Sequence, residues 1–207
     1  MLTLYFRPMA CSLASRIAIL EAGLDVRYRA VDLISKKVAD GSDYLVLSAK
    51  GQVPILVLAD GQILTEGAAV LQYIADQNPD AGLAPIATDP NRYRLQEWLN
   101  FVATELHKAF LYPVFSHDTP EAVKAHARVK LARALAVAAD QLDKAPFVTG
   151  DRFTVADAYL TWALLLIQFG GVELQSSLAA YLQRAQQRPH VRDAIQIERQ
   201  MLQAPAN

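Results

Sequence analysis

Cys11 is the only cysteine in a chain of 207 residues. It stands where a short apolar run, Leu2 to Phe6, passes through Arg7-Pro8 into a stretch with Leu13, Ile17 and Leu20 at helical spacing. A thiol at the amino end of a helix meets the positive end of the macrodipole, so its pKa falls and thiolate becomes available for attack on electrophiles or disulfides. Two readings follow. Cys11 is a redox or thiol-binding residue, with Ser12 beside it to cap the helix or hydrogen-bond a sulfur, or it is a small apolar side chain packed under that helix. A single cysteine excludes an intrachain disulfide and a cysteine-cluster metal site.

A second constellation lies in Lys50 to Gly67, KGQVPILVLADGQILTEG. Pro54 precedes the apolar run Ile55 to Leu58, and Val53-Pro54 is a place where a cis peptide is tolerated. A cis bond would turn Val53 outward and let its N–H and C=O pair with an extended peptide ligand as with another strand; the alternative is a plain edge-strand proline. Asp60-Gly61 signals a two-residue hairpin returning through Ile63 and Leu64. Thr65 is expected to cap the following helix, with Glu66 in its first turn and Val70, Leu71 and Ile74 as its buried stripe. Glu66-Gly67 then offers backbone donors to an anion, or Glu66 is an ordinary first-turn acid.

A third group is Asn100, Thr104 and His107, at i, i+4 and i+7 in a helical stretch with Trp98, Leu99, Phe101 and Phe110. The three face one cleft, or they form a solvated stripe with a locally satisfied histidine. No second His or Cys stands at ligand spacing from His107, so a metal is not expected. Thr154-Val155-Ala156-Asp157 reads as a capping box with Asp in place of Glu, a folding device, and Arg188-Pro189 as a helix start.

The elements that must position these residues fall into two halves. Leu2 to Phe6, a helix from Cys11 to Gly23 and Val26 to Val31 make a βαβ unit with parallel strands. Asp32 to Ala49 is expected to be irregular, with at most a short helix near Tyr44, before the hairpin and third helix complete a small α/β unit over residues 1–80. Residues 81–90, rich in Ala, Pro, Gly and Asp, read as a linker. Residues 91–207 are expected to be all helical: Asn91 to about Val114, Glu121 to Lys144, Thr154 to Phe169, and two shorter helices after Leu174 and Pro189.

With 53% hydrophobic residues the chain has ample material for a packed core. Residues 1–80 carry 7 basic and 9 acidic side chains and the rest 13 and 12, summing to 20 and 21, so neither half is a polyanion-binding surface and nucleic acid is not an expected partner. The uncharged run Ala158 to Val172 is shorter than the ~20 residues of a membrane span and reads as a core helix. The apolar start is broken by Arg7-Pro8 before it could serve as a signal-peptide core, and a lone cysteine fits a reducing compartment, so a cytoplasmic protein is expected.

Taken together, Cys11 in ACSLAS, Lys50-Gly51-Gln52-Val53-Pro54, Leu64-Thr65-Glu66-Gly67, Glu97-Trp98-Leu99-Asn100, Thr104-Glu105-Leu106-His107 and Phe153 to Tyr159 resemble a bacterial beta-class glutathione transferase, in order and across nearly the whole chain. The resemblance implies an amino-terminal thioredoxin-like domain that binds glutathione, an all-helical second domain that contributes the acceptor pocket, and a homodimer. It implies that Cys11 contacts the glutathione sulfur, that Val53, reached through Gln52 and followed by Pro54, pairs with the cysteinyl backbone, and that Glu66 and Gly67 hold the γ-glutamyl end. Lys36 would meet the glycyl carboxylate, and Asn100 with Thr104, Glu105, Leu106 and His107 would line the site. Cys11, Ser12 and His107 are the implied catalytic residues. Many such proteins carry Tyr five residues before the cysteine, where this chain has Phe6, and a glycine where it has Met9. The implied activity is conjugation of glutathione to a small hydrophobic electrophile, with Cys11-dependent thiol–disulfide exchange beside it. The alternatives are a glutathione-dependent thiol reductase, lyase or dehalogenase, or a non-catalytic glutathione carrier on the same fold.

Overall fold

The structure is a computed structural model and describes residues 1–203. Contacts divide the chain into two units, Met1–Ala81 together with the last helix, and Gly82–Arg188.

In the first unit, β1 (Leu2–Phe6), α1 (Ser12–Glu21) and β2 (Val26–Asp32) form the expected βαβ, with β1 and β2 parallel from Leu2↔Val26 to Phe6↔Ala30. β4 (Ile55–Val57) pairs antiparallel with β1, and β5 (Ile63–Leu64) with β4, before α2 (Gly67–Gln77). The sheet order is β3-β2-β1-β4-β5. β3 (Lys37–Val38) lies in the stretch expected to be irregular and pairs antiparallel with β2. Only Val38 of this two-residue strand is buried, so it leaves almost no alternation to read among lysines. The short helix expected near Tyr44 is a 3₁₀ turn at Tyr44–Val46.

The hairpin and the helix start after it also differ from expectation. Gly61 N–H donates to Leu58 O at 3.0 Å and Leu58 N–H to Gln62 O at 2.8 Å, with Gly61 at φ +87°. The loop is therefore three residues, Ala59 to Gly61, with the glycine in the left-handed position such a loop requires. Thr65 does not cap α2: the cap position is Glu66, itself at φ +70°.

The last helix, α8 (Pro189–Gln203), belongs in space with the first unit rather than with residues 91–188, where the sequence alone groups it. It packs on α1 through its buried stripe Val191, Ala194 and Ile195. Within that contact Arg16 Nε donates to Glu198 Oε1 at 2.8 Å, both side chains being almost wholly buried. Each charge would be stranded without the other, which commits α8 to this face.

The second unit is helical: α3 (Asn91–Phe101), a π-helical segment Val102–Leu111, α4 (Tyr112–Phe115), α5 (Glu121–Leu142), α6 (Val155–Phe169) and α7 (Ser176–Gln187). The continuous helix expected from Asn91 to Val114 is thus interrupted by wider turns, closed by Tyr112 N–H on His107 O. Pro113 has no N–H and crowds the carbonyl four residues back, and widening the preceding turns relieves that clash. Residues 82–90 are not a loose linker, because Val155 N–H donates to Leu83 O at 2.9 Å and Arg92 Nη1 to Pro85 O at 2.8 Å. At the start of α6 the capping box forms, Asp157 Oδ2 accepting from Thr154 N–H and Oγ1, both at 2.9 Å. Among the described residues no helix is long and apolar enough to cross a membrane.

Candidate functional site

Cys11 occupies the cap position of α1, half-buried, and its thiol donates to the backbone carbonyl of Val53 at 3.1 Å. The Val53–Pro54 peptide is cis. The Val53 side chain is not turned outward: it is buried in a cluster with Val31, Val38, Tyr44 and Ile55, against which Tyr5, Ala10 and Cys11 also pack. What Val53 presents to the thiol is its carbonyl.

The loops around this point are held from behind. Lys36 Nζ donates to Gly51 O at 2.9 Å and the Tyr44 hydroxyl to Gln52 O at 2.8 Å, so the two carbonyls before Val53 are fixed by side chains. Burial pushes the Tyr44 phenol far above its usual range, which keeps it a donor at any ordinary pH. Gly51 sits at φ +57°, and a Cβ there would come within 3.0 Å of Leu45 Cδ2 and 3.3 Å of Lys36 Cε. The loop therefore needs glycine for its backbone, while the nearby side-chain ends would have to give only slightly.

Ser12 is placed differently from expectation. Fully buried, its hydroxyl donates to Arg7 O and accepts from Arg7 N–H, both at 3.2 Å, closing the turn between β1 and α1 instead of addressing a ligand sulfur. Phe6 is buried and stacks beneath the Arg16 guanidinium, whereas Tyr5, on the opposite strand face, joins the cluster that carries Cys11. Glu66 and Gly67 open α2, and Lys50 Nζ reaches both the Glu66 carboxylate and Thr65 Oγ1, the latter at 2.9 Å. This pair is exposed, so water weakens the attraction between its two charges.

Met9, Lys36 and Glu66, all in this unit, are non-glycine residues at φ +60°, +56° and +70°. Left-handed backbone at such residues costs on the order of 1 kcal/mol or more each and persists where surrounding contacts fix it, commonly at binding sites.

Of the two readings of Asn100, Thr104 and His107, the helical unit shows exposed polar groups with a locally satisfied histidine. Asn100 and Thr104 are exposed, and Thr104 Oγ1 donates back to Asn100 O at 3.0 Å. Glu105 is exposed and touches Thr104 Oγ1 at 3.3 Å, while Leu106 is fully buried core. His107 turns inward, its Nδ1 2.7 Å from the Tyr159 hydroxyl and its ring edge-on to Trp162 at 4.8 Å. The wider π-helical turn carries positions three apart further from one face than an α-helix does, which separates His107 from Thr104. Burial, with Lys108 beside it, lowers the His107 pKa to about 4, so the imidazole is neutral at pH 7. Among the described residues no group of acids, histidines and cysteine could hold a metal ion.

Sequence reasoning gave no role to Tyr44, Lys50, Tyr159 or Glu198. Lys50 and Tyr159 lie in motifs that were legible, Tyr44 acts on Gln52 eight positions away, and Glu198 acts through contacts more than 180 positions away that spacing does not encode.

The family of the glutathione S-transferase N-terminal domain matches residues 8–77, and that of the C-terminal domain residues 121–196. The chain belongs to the glutathione S-transferase family. Glutathione S-transferase GstA of Escherichia coli O157:H7 is 44% identical over 200 residues, covering 94% of this chain and 98% of that protein. The structure of a sphingomonad glutathione S-transferase complexed with glutathione is 40% identical, with a TM-score of 0.91 over 95% of this chain and 98% of the other. The bacterial beta-class glutathione S-transferase of Sphingomonas chungbukensis is 39% identical, with a TM-score of 0.90 over the same shares. The fold is that of this family, a thioredoxin-like sheet unit followed by helices, and its resemblance is to the beta class.

Proposed function

We propose that the chain is a glutathione transferase that binds glutathione on the sheet unit and conjugates it to small hydrophobic electrophiles. The observation that carries this reading is the Cys11 thiol at the start of α1, 3.1 Å from the Val53 carbonyl. The glutathione cysteinyl backbone pairs with Val53 as an added strand, its sulfur lies beside Cys11, and its γ-glutamyl end meets Glu66 and the N–H groups at the start of α2. Lys36 and Lys50 supply positive charge for its carboxylates. Bound this way, the sulfur faces the amino end of α1, which favours thiolate. The thiolate forms a C–S bond while the leaving group departs with its electron pair. Ser12 is left out of the chemistry by its bonds to Arg7. His107 is a weak base in this environment, so we assign it to holding Tyr159.

The half-exposed position of Cys11 supports a second activity, thiol–disulfide exchange. Cys11 thiolate attacks a sulfur of oxidised glutathione, forming a mixed disulfide and releasing one glutathione thiolate. We further propose a cytoplasmic homodimer with a role in detoxification. Val123, Val129 and Val137, exposed on α5, support an apolar contact between copies, and light scattering at micromolar concentration giving a monomer mass would remove the dimer. The function is tested by turnover with aryl halide and with disulfide acceptors. Conjugation is expected, with glutathione at 100 times its Kd adding about 2.7 kcal/mol to unfolding. A stabilising shift without turnover on any acceptor would mark a carrier, and no shift at millimolar glutathione would remove the site.

A further inference from the structure

We infer that Glu198, on α8 and far in sequence from the thiol, is a positioning residue for the Cys11 loop, an inference that rests on the transferase reading above. Glu198 is fully buried and divides its carboxylate between two tasks: Oε1 accepts from Arg16 Nε at 2.8 Å, and Oε2 accepts from the Met9 backbone N–H at 2.7 Å.

Met9 is the residue of the Arg7–Cys11 loop with the left-handed backbone, φ +60°, which a methionine does not adopt unaided. Behind it, Ala10 N–H donates to Arg7 O at 3.1 Å and Leu13 N–H to Ala10 O at 2.9 Å, so the orientation of residue 9 passes directly into the first turn of α1. A charged acceptor makes one of the stronger hydrogen bonds available to a backbone N–H, and here it is aimed at the strained residue. Arg16 is what allows that charge to be buried. Its guanidinium stacks on Tyr28 at 3.9 Å and on Phe6 at 4.5 Å, so the acid, the base and both rings form one layer beneath the loop. Stability alone does not require this arrangement, since a buried ion pair is often replaceable by apolar groups at no loss. An apolar pair could not hold Met9. The carboxylate thus keeps the Cys11 thiol directed at the Val53 carbonyl, where the ligand sulfur docks.

The test compares Glu198→Gln, whose single oxygen can still accept from the Met9 N–H while its NH2 faces Arg16 Nε, with the double variant Arg16→Met/Glu198→Leu, which replaces the pair by apolar groups and removes the acceptor. Two readouts are taken on folded protein well below Tm: hydrogen exchange of the Met9 and Ala10 amides, and kcat and KM for glutathione with a fixed acceptor. Thr154→Ala, a destabilising change in the helical unit, is the control. Glu198→Gln should keep Met9 protected and kcat/KM within about threefold of wild type. The double variant should fold, exchange Met9 faster, and lose kcat/KM by on the order of tenfold to a hundredfold, as misplacement of a reacting group does. Thr154→Ala should change neither readout. Wild-type exchange and kinetics in the double variant would overturn the proposal. If the wild-type protein itself fails to turn over or bind glutathione, the transferase reading falls, while the Met9 exchange still reports whether Glu198 holds the loop.

Discussion

Glu66 with Lys50 in the sheet unit and Asp157 with Tyr181 in the helical unit are both polar clusters at the start of a helix, yet they differ in every physical respect. Lys50 and Glu66 are exposed, and Glu66 stands in a left-handed conformation. Asp157 is fully buried and has donors on both oxygens: Val148 N–H at 3.0 Å, Thr154 N–H and Oγ1 at 2.9 Å, and the Tyr181 hydroxyl at 3.2 Å. One helix start is left exposed, where we propose that a ligand carboxylate or amine docks, and the other is closed by its own chain. A helix terminus leaves the same orphan donors in both places, and what distinguishes binding from folding is whether the protein satisfies them internally.

That contrast predicts opposite responses to mutation. The largest effect should come from Asp157→Ala, which strands buried donors. A loss of roughly 3 kcal/mol is expected, about 6–12 °C in Tm for a chain of this size, with kcat/KM of the remaining folded protein unchanged. Thermal unfolding beside kinetics checks both halves, and an unchanged Tm would break the comparison.

Next comes His107. Its folded pKa, about 4, is below the unfolded 6.5, so between those values the unfolded state binds more protons and stability falls as pH drops from 6.5 toward 4. Asp157 runs the other way, because burial raises its carboxyl to about 6 and the folded state binds the extra proton between 3.8 and 6. Comparing His107→Gln with wild type isolates the first contribution. The wild type should lose up to about 3 kcal/mol relative to the variant between pH 7 and pH 4. Parallel pH curves of Tm would mean that the imidazole accepts its proton without leaving Tyr159.

The smallest expected effect on stability belongs to Glu66→Gln, within about 0.5 kcal/mol because the side chain is exposed, combined with a roughly tenfold weaker Kd for glutathione. Calorimetric titration with an unchanged Kd would place Glu66 outside the ligand contacts.

These differences follow what the sequence could and could not carry. Local signals were legible: the βαβ start, the cap at Thr154 with Asp157, the proline before β4 and the thiol at a helix start all act over a few residues. Three kinds of feature were not. Glycine at 61 announced a turn but not its length, which depends on how the flanking strands close. The π-helical segment arises from Pro113, six residues beyond His107, so a stripe drawn at α-helical spacing joined residues that face different ways. Glu198 is an ordinary acid on an amphipathic helix until Arg16 and the Met9 amide are found opposite it, 182 and 189 positions away.

The most direct test of the open helix start in the sheet unit is intact-mass spectrometry after incubation with oxidised glutathione, comparing wild type, Cys11→Ala and Glu66→Gln. In the proposed site a ligand docked by Val53 and Glu66 holds its disulfide beside Cys11, so the wild type should gain one glutathionyl mass, Cys11→Ala none, and Glu66→Gln the same mass about tenfold more slowly. No adduct on the wild type, or one that forms equally fast in Glu66→Gln, would contradict a glutathione site built from these residues.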